Sequence, residues 1–379
     1  MKFQYLPLLL ALLITRGKSQ HKNHQHIQHN QHIHSISNLT LSASGIGCKD
    51  STKYETTSQT YFFMCTGQTP EDQANGKAII QLILSRGYLP TCRVMQLMLW
   101  MASEVRDDKR IPFKDIFVDI GANIGSCSVA MASLGFHVIA VEPVHTHVAT
   151  IQGSMDVNPS FRIELFHAGI SHETKMIQPV FYSGARNWGA TILEEVVTEK
   201  RLVELPLKTV KQLIGNRDVA LMKIDCEGCE WAALKGAKGT LHRIPMLKIE
   251  LVAKSYTAGN ETVGQQHILQ YLKTNGFDIF LDIWNDAEYY FGRKPNDIIE
   301  TDRMFGSSKF KLKSDIDVLF RCAREMLSHE INVNSFTSKS MKGTTDIIAI
   351  ESNLADKMKM KFLQTNIENK DVVSNNTKL

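Results

Sequence analysis

The sequence has no large excess of charge of either sign and no second long apolar run after its first 20 residues. Its 379 residues include 43 lysines and arginines against 39 aspartates and glutamates, a formal net charge of +4. A balance this small gives no indication of a nucleic-acid partner, and none is predicted. With 43% apolar and 22% charged residues, the chain is neither wholly disordered nor a small disulfide-stapled protein.

Residues 1–19 have the pattern of a secretory signal peptide. A positive charge at Lys2 precedes an apolar run over residues 5–15, and the small residues Gly17 and Ser19 follow. That run is too short for a comfortable transmembrane helix, so we expect cleavage after Ser19 and no stable membrane span afterwards. An uncleaved signal-anchor and a buried N-terminal helix are the alternatives. Removal of residues 1–19 leaves 40 basic and 39 acidic residues, a net charge of +1.

Residues 20–69 are predicted to form a polar linker. Six of the 14 histidines of the chain lie between His21 and His34. Such a tract can bind zinc or copper loosely, but no fixed ligand geometry can be read from it, so the linker interpretation is preferred. Residues 70–114 contain helical apolar spacing and are predicted to form an N-terminal helical cap. Residues 324–379 show little periodicity and are predicted to be a loosely ordered tail.

Between residues 115 and 323, short continuous apolar runs alternate with helical stretches. This alternation indicates a doubly wound α/β fold with a parallel sheet covered on both faces. Its ligand should bind at the carboxyl ends of the strands. The predicted strands are 116–120, 138–141, 162–166, 219–224, 247–252, 277–281 and 317–320.

The first predicted strand ends in a glycine-containing turn that is typical of a cofactor site. Asp119 is followed by Gly121, Asn123 and Gly125, and glycine permits a tight turn and a close backbone approach to a ligand. The next strand ends in Glu142, 21 residues after Gly121. That is about the spacing at which a carboxylate receives the ribose hydroxyls of an adenosine-type cofactor, and we expect both edges of the Glu142 carboxylate to be available for them.

The residues of this turn favour S-adenosylmethionine (SAM) over NAD. An acid at Asp119 would repel a pyrophosphate, and Asn123 stands where a dinucleotide fingerprint needs its second glycine. SAM carries a cationic amino group and a sulfonium and has no phosphate. An NAD-dependent oxidoreductase of the same fold class is therefore the weaker alternative.

These motifs resemble those of the FkbM-type family of SAM-dependent methyltransferases. The segment 119–125 is similar to the first family motif and 141–143 to the second, while 223–230 matches the more specific Lys-x-Asp-x-Glu-Gly-x-Glu pattern at every fixed position. The resemblance covers about residues 115–321. It implies a Rossmann-like, mostly parallel seven-stranded sheet of the class I methyltransferase type. Lys211 departs from the pattern, because the family usually has an acid there.

The Lys-x-Asp-x-Glu-Gly-x-Glu segment supplies the predicted catalytic residues. Alternation along an extended strand end would put Lys223, Asp225 and Glu227 on one face, and Glu230 begins the next helix. Asp225 or Glu227 is predicted to act as a base or to orient the acceptor, with Lys223 tuning them. An ion-paired structural cluster, or acids that hold a divalent cation, are the alternatives; no metal is predicted. Glu250 is a weaker candidate at the same rim.

Two further side chains and the cysteines are assigned less specifically. The resemblance places His167 near the adenine of SAM, where its side chain either flanks the base or is exposed. Trp188 could stack on an acceptor ring or serve as a local packing anchor. Cys226 and Cys229 form a Cys-x-x-Cys with no second pair at zinc spacing, so they are predicted to be core residues. Cys48 and Cys65 are a plausible disulfide pair in an oxidising lumen, although sequence does not determine pairing.

The chain is therefore predicted to be a SAM-dependent methyltransferase that methylates a hydroxyl of a sugar or small molecule in the secretory pathway or outside the cell. The alternative is a methyltransferase-like binding module without catalytic activity. The acceptor and the oligomeric state do not follow from the sequence.

Overall fold

The computed structural model describes ten ranges of the chain. They are residues 51–55, 61–65, 90–107, 115–177, 179–183, 191–195, 204–251, 255–282, 312–334 and 345–364. The predicted signal peptide and His-rich tract lie outside these ranges, as do Cys48 and Trp188. Expectations about those segments stay predictions.

The described residues form sixteen strands and eight α-helices. The strands are β1 (Ser51–Glu55), β2 (Tyr61–Cys65), β3 (Ile116–Ile120), β4 (His137–Glu142), β5 (Arg162–His167), β6 (Gly169–Ile170), β7 (Lys175–Ile177), β8 (Pro179–Ser183), β9 (Thr191–Glu195), β10 (Leu205–Lys208), β11 (Leu221–Ile224), β12 (Met246–Leu251), β13 (Tyr256–Ala258), β14 (Glu261–Val263), β15 (Phe277–Leu281) and β16 (Thr345–Glu351). The helices are α1 (Pro90–Glu104), α2 (Ser126–Ser133), α3 (His145–Asp156), α4 (Val210–Ile214), α5 (Glu230–Gly236), α6 (Gln265–Thr274), α7 (Leu312–Ser328) and α8 (Ser352–Gln364).

Seven strands form one sheet in the spatial order β15–β16–β12–β11–β3–β4–β5. Every strand runs parallel to its neighbours except β16, which is antiparallel to both β12 and β15. The predicted Rossmann-like, mostly parallel seven-stranded sheet is therefore confirmed. The strand order reverses beside β3, so the carboxyl ends of β3, β4 and β11 surround the crevice where such sheets bind ligands.

Two predictions about the C-terminal part of the sheet are wrong. The segment 317–320, predicted as the last strand, lies inside α7. The seventh strand is Thr345–Glu351, inside the stretch predicted to be a loose tail, and α8 follows it directly. The four buried residues 347–350 form a short apolar run that is easily overlooked between polar neighbours. Its insertion between β12 and β15 removes it from water on both faces.

The sheet carries an apolar layer on each face because alternate strand residues point to opposite sides. Phe117 and Leu221 belong to one buried layer, together with residues of α1, α2, α3, α7 and α8. Val118 and Met222 belong to the other, with residues of α4, α5 and α6. Both layers hold the strand ends rigidly, which fixes the side chains at the carboxyl edge of the sheet.

The predicted N-terminal cap is represented by α1, which packs as part of the first layer. Trp100 contacts the rings of Phe320 and Phe362, with centroids 5.6 and 5.4 Å apart. A disulfide joins Cys92 in α1 to Cys127 in α2. The helix therefore covers the face of the sheet, and its N-terminal end reaches the ligand crevice.

No helix in the described ranges combines the length and apolar content needed to cross a bilayer.

Candidate active site

A cavity of about 690 Å³ opens at the carboxyl ends of β3, β4 and β11. Its inner wall consists of the three segments 119–123, 141–143 and 225–229, which are the segments that the sequence motifs singled out. Residues 171–173 and 257–259 form part of the opposite wall. The volume lies within the range of small-molecule and cofactor sites.

The glycine turn after β3 is held against two other strand ends. The amides of Gly121 and Ala122 both donate to the carbonyl oxygen of Val141, at 3.0 and 3.1 Å. Gly121 has φ of +74°, and a Cβ at this position would lie 1.8 Å from the carbonyl oxygen of Asp225. Asn123 also has a positive φ of +52°, which asparagine tolerates better than most residues. The turn therefore needs glycine both for its dihedral angles and for the approach of the Asp225 backbone.

Glu142 is buried on the cavity wall, but its carboxylate is already largely hydrogen-bonded. Oε2 accepts from the amide of Asn123 at 2.8 Å, and Oε1 accepts from the amide of Val144 at 3.0 Å. Nδ1 of His147 lies 3.1 Å from Oε1. The expectation that both carboxylate edges are available is wrong, because the positive φ of Asn123 aims its amide at Glu142. A carboxylate accepts about four hydrogen bonds, so about one acceptor position remains on Oε2.

His147 is a wall residue that the sequence reasoning missed. It lies in α3 and is 2% exposed, against 4% for Glu142. A histidine five residues after a strand-end acid, in the first turn of the following helix, was the available signal. Its ring contacts Oε1 of Glu142, whereas Oε2 is bonded to the amide of Asn123.

Lys223 lies between Asp119 of the glycine turn and Asp225 of the Lys-x-Asp-x-Glu-Gly-x-Glu segment. Its Nζ is 3.3 Å from Oδ1 of Asp119 and 3.2 Å from Oδ2 of Asp225, and it donates to the carbonyl oxygen of Gly121 at 3.0 Å. Burial alone would lower the pKa of Lys223, but the charges of Asp225 and Asp119 raise it above its usual range. Lys223 is therefore charged at neutral pH. It connects the glycine turn to residues 225–230, which we call the acidic loop.

Asp119 is fully buried at the base of this arrangement. Its Oδ2 accepts from the hydroxyl of Ser128 at 2.7 Å. Burial raises the pKa of Asp119 against the opposing effects of Lys223 and Ser128. Asp119 therefore holds Lys223 and, through Ser128, the start of α2.

Asp225 and Glu250 form a hydrogen-bonded pair of carboxyl groups at the adjacent ends of β11 and β12. Burial alone would raise the pKa of Asp225, but the charge of Lys223 and the hydrogen bond from Glu250 lower it to about 2. Burial and the charge of Asp225 raise the pKa of Glu250 to about 11. At neutral pH Glu250 thus keeps its proton and donates it to the Asp225 carboxylate.

Glu227 and Glu230 have different positions around the acidic loop. Glu227 lies on the cavity wall with φ of +57°. Glu230 is fully buried outside the wall, and its Oε1 accepts from the amides of Cys226 at 3.3 Å and Gly228 at 3.0 Å. Burial raises the pKa of Glu230 to about 7, although these backbone bonds oppose the shift. Glu230, predicted to be catalytic, is placed to hold the loop.

The structure corrects the prediction for Cys226 and Cys229. They are joined by a disulfide across the acidic loop, and both line the cavity. Both cysteines are partly buried and pack against the second apolar layer, as the core interpretation expects, but the turn at Glu227 and Gly228 also brings them together as a disulfide on the cavity wall. Cys322, in α7, is a buried thiol.

His167 and the alternative of a metal ion can also be placed. His167 is exposed, with Nε2 3.1 Å from the carbonyl oxygen of Pro143, and it is not on the wall of the cavity. Asp225, Glu227 and Glu250 each offer a carboxylate oxygen, and these oxygens lie within 4.8 Å of one another. That spacing is compatible with the cation alternative.

The chemistry of the wall suits SAM. Five acids (Asp119, Glu142, Glu173, Asp225 and Glu227) and two lysines (Lys175 and Lys223) line the cavity, so acidic groups outnumber basic ones on its wall. SAM has a sulfonium and an amino group, which such a wall attracts, whereas a pyrophosphate would be repelled. Within the described residues, the hydroxyls of Thr91 and Ser126 on the same wall have no hydrogen-bond partner. These groups and Oε2 of Glu142 are therefore the polar positions left for a ligand.

Residues 119–279 match a family model described as the methyltransferase FkbM domain. The match covers fewer than half of the residues of the chain and contains the glycine turn, Glu142 and the acidic loop. It confirms the resemblance indicated by the sequence motifs, and with it methyl transfer and SAM as the reaction class and cofactor of this domain. No curated protein sequence matches the chain.

Solved methyltransferase structures are similar to the chain at low identity. A magnesium protoporphyrin IX methyltransferase from Synechocystis PCC 6803 with bound SAM is 12% identical, with a TM-score of 0.31 over 69% of this chain and 78% of that one. The plantazolicin methyltransferase BamL is 11% identical, with a TM-score of 0.33 over 75% of this chain and 91% of that one. With scores of this size, neither likeness bears on the acceptor.

Replacing Gly121 by alanine should destabilise the protein far more than the same change at a glycine with open space around it. Gly276→Ala is the matched control, because Gly276 has φ of +84° and no atom within 4 Å of an added Cβ. The control should cost about 1–2 kcal/mol for the left-handed backbone. Gly121→Ala should cost about 1–3 kcal/mol more, because the Asp225 backbone must move. Denaturant unfolding of both variants measures the difference, and equal costs would contradict the close approach.

Glu250→Gln should change how stability depends on pH. A carboxyl whose folded pKa is raised stabilises the protein fully below its unfolded pKa of about 4.5. That contribution is lost as the pH rises towards the folded pKa of about 11. Glutamine cannot ionise and can still donate to Asp225, so the variant should gain stability relative to wild type between pH 5 and 8, by up to about 1.4 kcal/mol per pH unit. Urea unfolding of both proteins at several pH values measures this, and a pH-independent difference would contradict the shared proton.

Proposed function

We propose that this protein is a SAM-dependent O-methyltransferase of the secretory pathway, whose acceptor is a hydroxyl of a sugar or small molecule. The observation that carries the proposal is the placement of the Asp225 and Glu227 carboxylates on the same cavity wall as the glycine turn and Glu142. When bound, SAM supplies an electrophilic methyl group on a sulfonium. The cavity residues then have to bind the cofactor, orient the acceptor and receive its proton.

The cofactor would be held by the glycine turn and by Glu142. Oε2 of Glu142 is the carboxylate oxygen with an acceptor position left, so it suits one ribose hydroxyl. The hydroxyls of Thr91 and Ser126 suit the remaining polar groups of the ligand. Val141 and Pro143 add apolar surface beside Glu142.

Asp225 is better suited to orient an acceptor hydroxyl than to remove the proton of that hydroxyl. With a pKa of about 2, this carboxylate is ionised at neutral pH but is a weak base. Lys223 and Glu250 fix one side of it, so its position varies little. A hydrogen bond to such a fixed acceptor would align the hydroxyl oxygen with the methyl group.

Glu227 is the better candidate for the base. It lies on the wall two residues beyond Asp225, at the turn of the acidic loop. An aliphatic hydroxyl has a pKa far above 7, so its proton must leave as the new C–O bond forms. We assign that proton to the Glu227 carboxylate.

The proposed location is supported by the disulfides as well as by the signal-like N-terminus. Cys226–Cys229 lies within the residues that match the methyltransferase family model, and Cys92–Cys127 joins α1 to that part of the chain. Disulfides form and persist in oxidising compartments and are rare in the cytosol. Glycans and small molecules of the secretory pathway are therefore the acceptors to examine first.

Wild-type protein should bind SAM, and Glu142→Gln should weaken binding about 10- to 100-fold. The change keeps the shape of the side chain but removes its charge and replaces one acceptor oxygen by a donor. Glu164→Gln is the matched control, since Glu164 pairs with Arg217 and His137 away from the cavity wall. Isothermal titration with SAM measures all three proteins. Absence of binding by the wild type would refute the proposed function.

Transfer of a labelled methyl group from SAM to a library of glycans and small alcohols should occur and should require Glu227. Loss of general-base catalysis typically costs 10²- to 10⁴-fold, so Glu227→Gln should lower transfer by about that factor while SAM affinity changes little. Mass spectrometry of the product should place the methyl group on oxygen. SAM binding without transfer to any acceptor would favour the inactive binding module, and a methyl group on nitrogen would exclude O-methylation.

A further inference from the structure

The two cysteines of the acidic loop occupy two of the three variable positions of the Lys-x-Asp-x-Glu-Gly-x-Glu motif. Their disulfide closes a four-residue ring that contains Glu227 and Gly228. The fixed positions of the motif supply the charged groups, so the ring is an addition of this chain to that arrangement. Both cysteines are half-buried and line the cavity.

The ring encloses a backbone conformation that the chain does not adopt readily. Glu227 and Gly228 have consecutive positive φ values of +57° and +119°. For a residue with a Cβ, the left-handed region costs about 1–2 kcal/mol. Such conformations persist only where the surrounding structure enforces them. Here the disulfide encloses the turn, and Glu230 binds it from below through the amides of Cys226 and Gly228.

The same turn is mechanically connected to the cofactor side of the cavity. The amide of Asp225 donates to the carbonyl oxygen of Ile120 at 3.1 Å, and its carbonyl oxygen lies against Gly121. Its carboxylate is paired with Lys223, which also binds the carbonyl oxygen of Gly121. A shift of the loop at Cys226 therefore acts directly on the glycine turn.

We propose that the Cys226–Cys229 disulfide is a positioning element of the active site, which holds the Glu227 turn and thereby makes SAM binding depend on the redox state of this pair. The proposal rests on the proposed function in assigning the cavity to SAM. It adds a control on that site, since the enzyme is complete only where the pair is oxidised.

The redox step is an ordinary thiol–disulfide exchange. A dithiol such as dithiothreitol breaks the S–S bond, gives two electrons and two protons to form the Cys226 and Cys229 thiols, and closes to its own cyclic disulfide. In the reverse direction, glutathione disulfide accepts two electrons and two protons from the thiols and becomes two molecules of glutathione. The other disulfide is less accessible, because Cys92 and Cys127 are only 3% and 4% exposed.

The first test measures SAM binding to the full-length protein before and after mild reduction. Differential alkylation and peptide mass spectrometry establish that Cys226–Cys229 is open while Cys92–Cys127 is intact. Opening the pair should weaken SAM binding at least about tenfold, which corresponds to about 1.4 kcal/mol. Reoxidation with glutathione disulfide should restore it.

Cys226→Ala/Cys229→Ala is the matched control. It should bind SAM as weakly as the reduced wild type and should not respond to dithiothreitol. Its thermal unfolding should show one cooperative transition, which separates a repositioned loop from an unfolded protein. If this variant does not fold, the comparison of SAM binding by oxidised and reduced wild-type protein still tests the proposal.

A second test uses the reciprocity of linked equilibria. If the oxidised form binds SAM more tightly by some factor, saturating SAM must raise by the same factor the ratio of the squared glutathione concentration to the glutathione disulfide concentration at which Cys226–Cys229 is half-reduced. Equal SAM affinity in the two redox states, or a half-reduction ratio unmoved by SAM, would overturn the positioning role. Absence of SAM binding in the oxidised wild type would instead refute the proposed function.

Discussion

The ammonium group of Lys223 is the interaction on which the active site depends. It is buried where β11 meets β3, between the carboxylates of Asp119 and Asp225, and it also binds the carbonyl oxygen of Gly121. A buried lysine without partners would lose its charge, and two buried carboxylates without a cation would take up protons. Lys223 and Asp225 therefore each support the charge of the other, and Lys223 opposes the rise that burial causes in the pKa of Asp119. The parallel pairing of β11 with β3 sets Lys223 beside Asp119 and so determines this arrangement.

The charges of this cluster fix the roles that its members can have. Lys223 and Glu250 together hold Asp225 ionised and fixed in place, so Asp225 is strong as an orienting acceptor and weak as a base. Glu230 is buried, and its carboxylate accepts hydrogen bonds from two backbone amides of the loop. Glu227 is the other acid of the motif that lines the cavity, together with Asp225. These four acidic side chains therefore differ in their surroundings, and the roles proposed above for Asp225 and Glu227 are based on that difference.

The sequence predicts the parts of this site that depend on short segments at strand ends. The glycine turn, Glu142 and the Lys223–Glu230 segment all end or follow buried strands, and parallel pairing must bring such ends to one edge of the sheet. Features that depend on backbone dihedral angles could not be predicted in the same way. Asn123 has a positive φ, and its amide donates to the carboxylate of Glu142. Glu227 also has a positive φ, in the turn whose flanking cysteines form a disulfide. Neither follows from spacing alone, because both residue types adopt other conformations more readily.

The C-terminal strand shows why a polar-looking tail belongs to the active domain. β16 inserts between β12 and β15 and pairs Asp346 with Glu250 in register. Asp346 forms a buried ion pair with Lys248, which lies on β12 two residues before Glu250. The charge of Asp346 also contributes to the raised pKa of Glu250, and hence to the proton that Glu250 donates to Asp225. The pKa of Glu250, and with it the hydrogen bond to Asp225, therefore depends on a strand some 120 residues downstream of the acidic loop. A chain that ended near residue 323 would keep every motif residue and lose the carboxylate beside Glu250, together with the strand that joins β15 to the sheet.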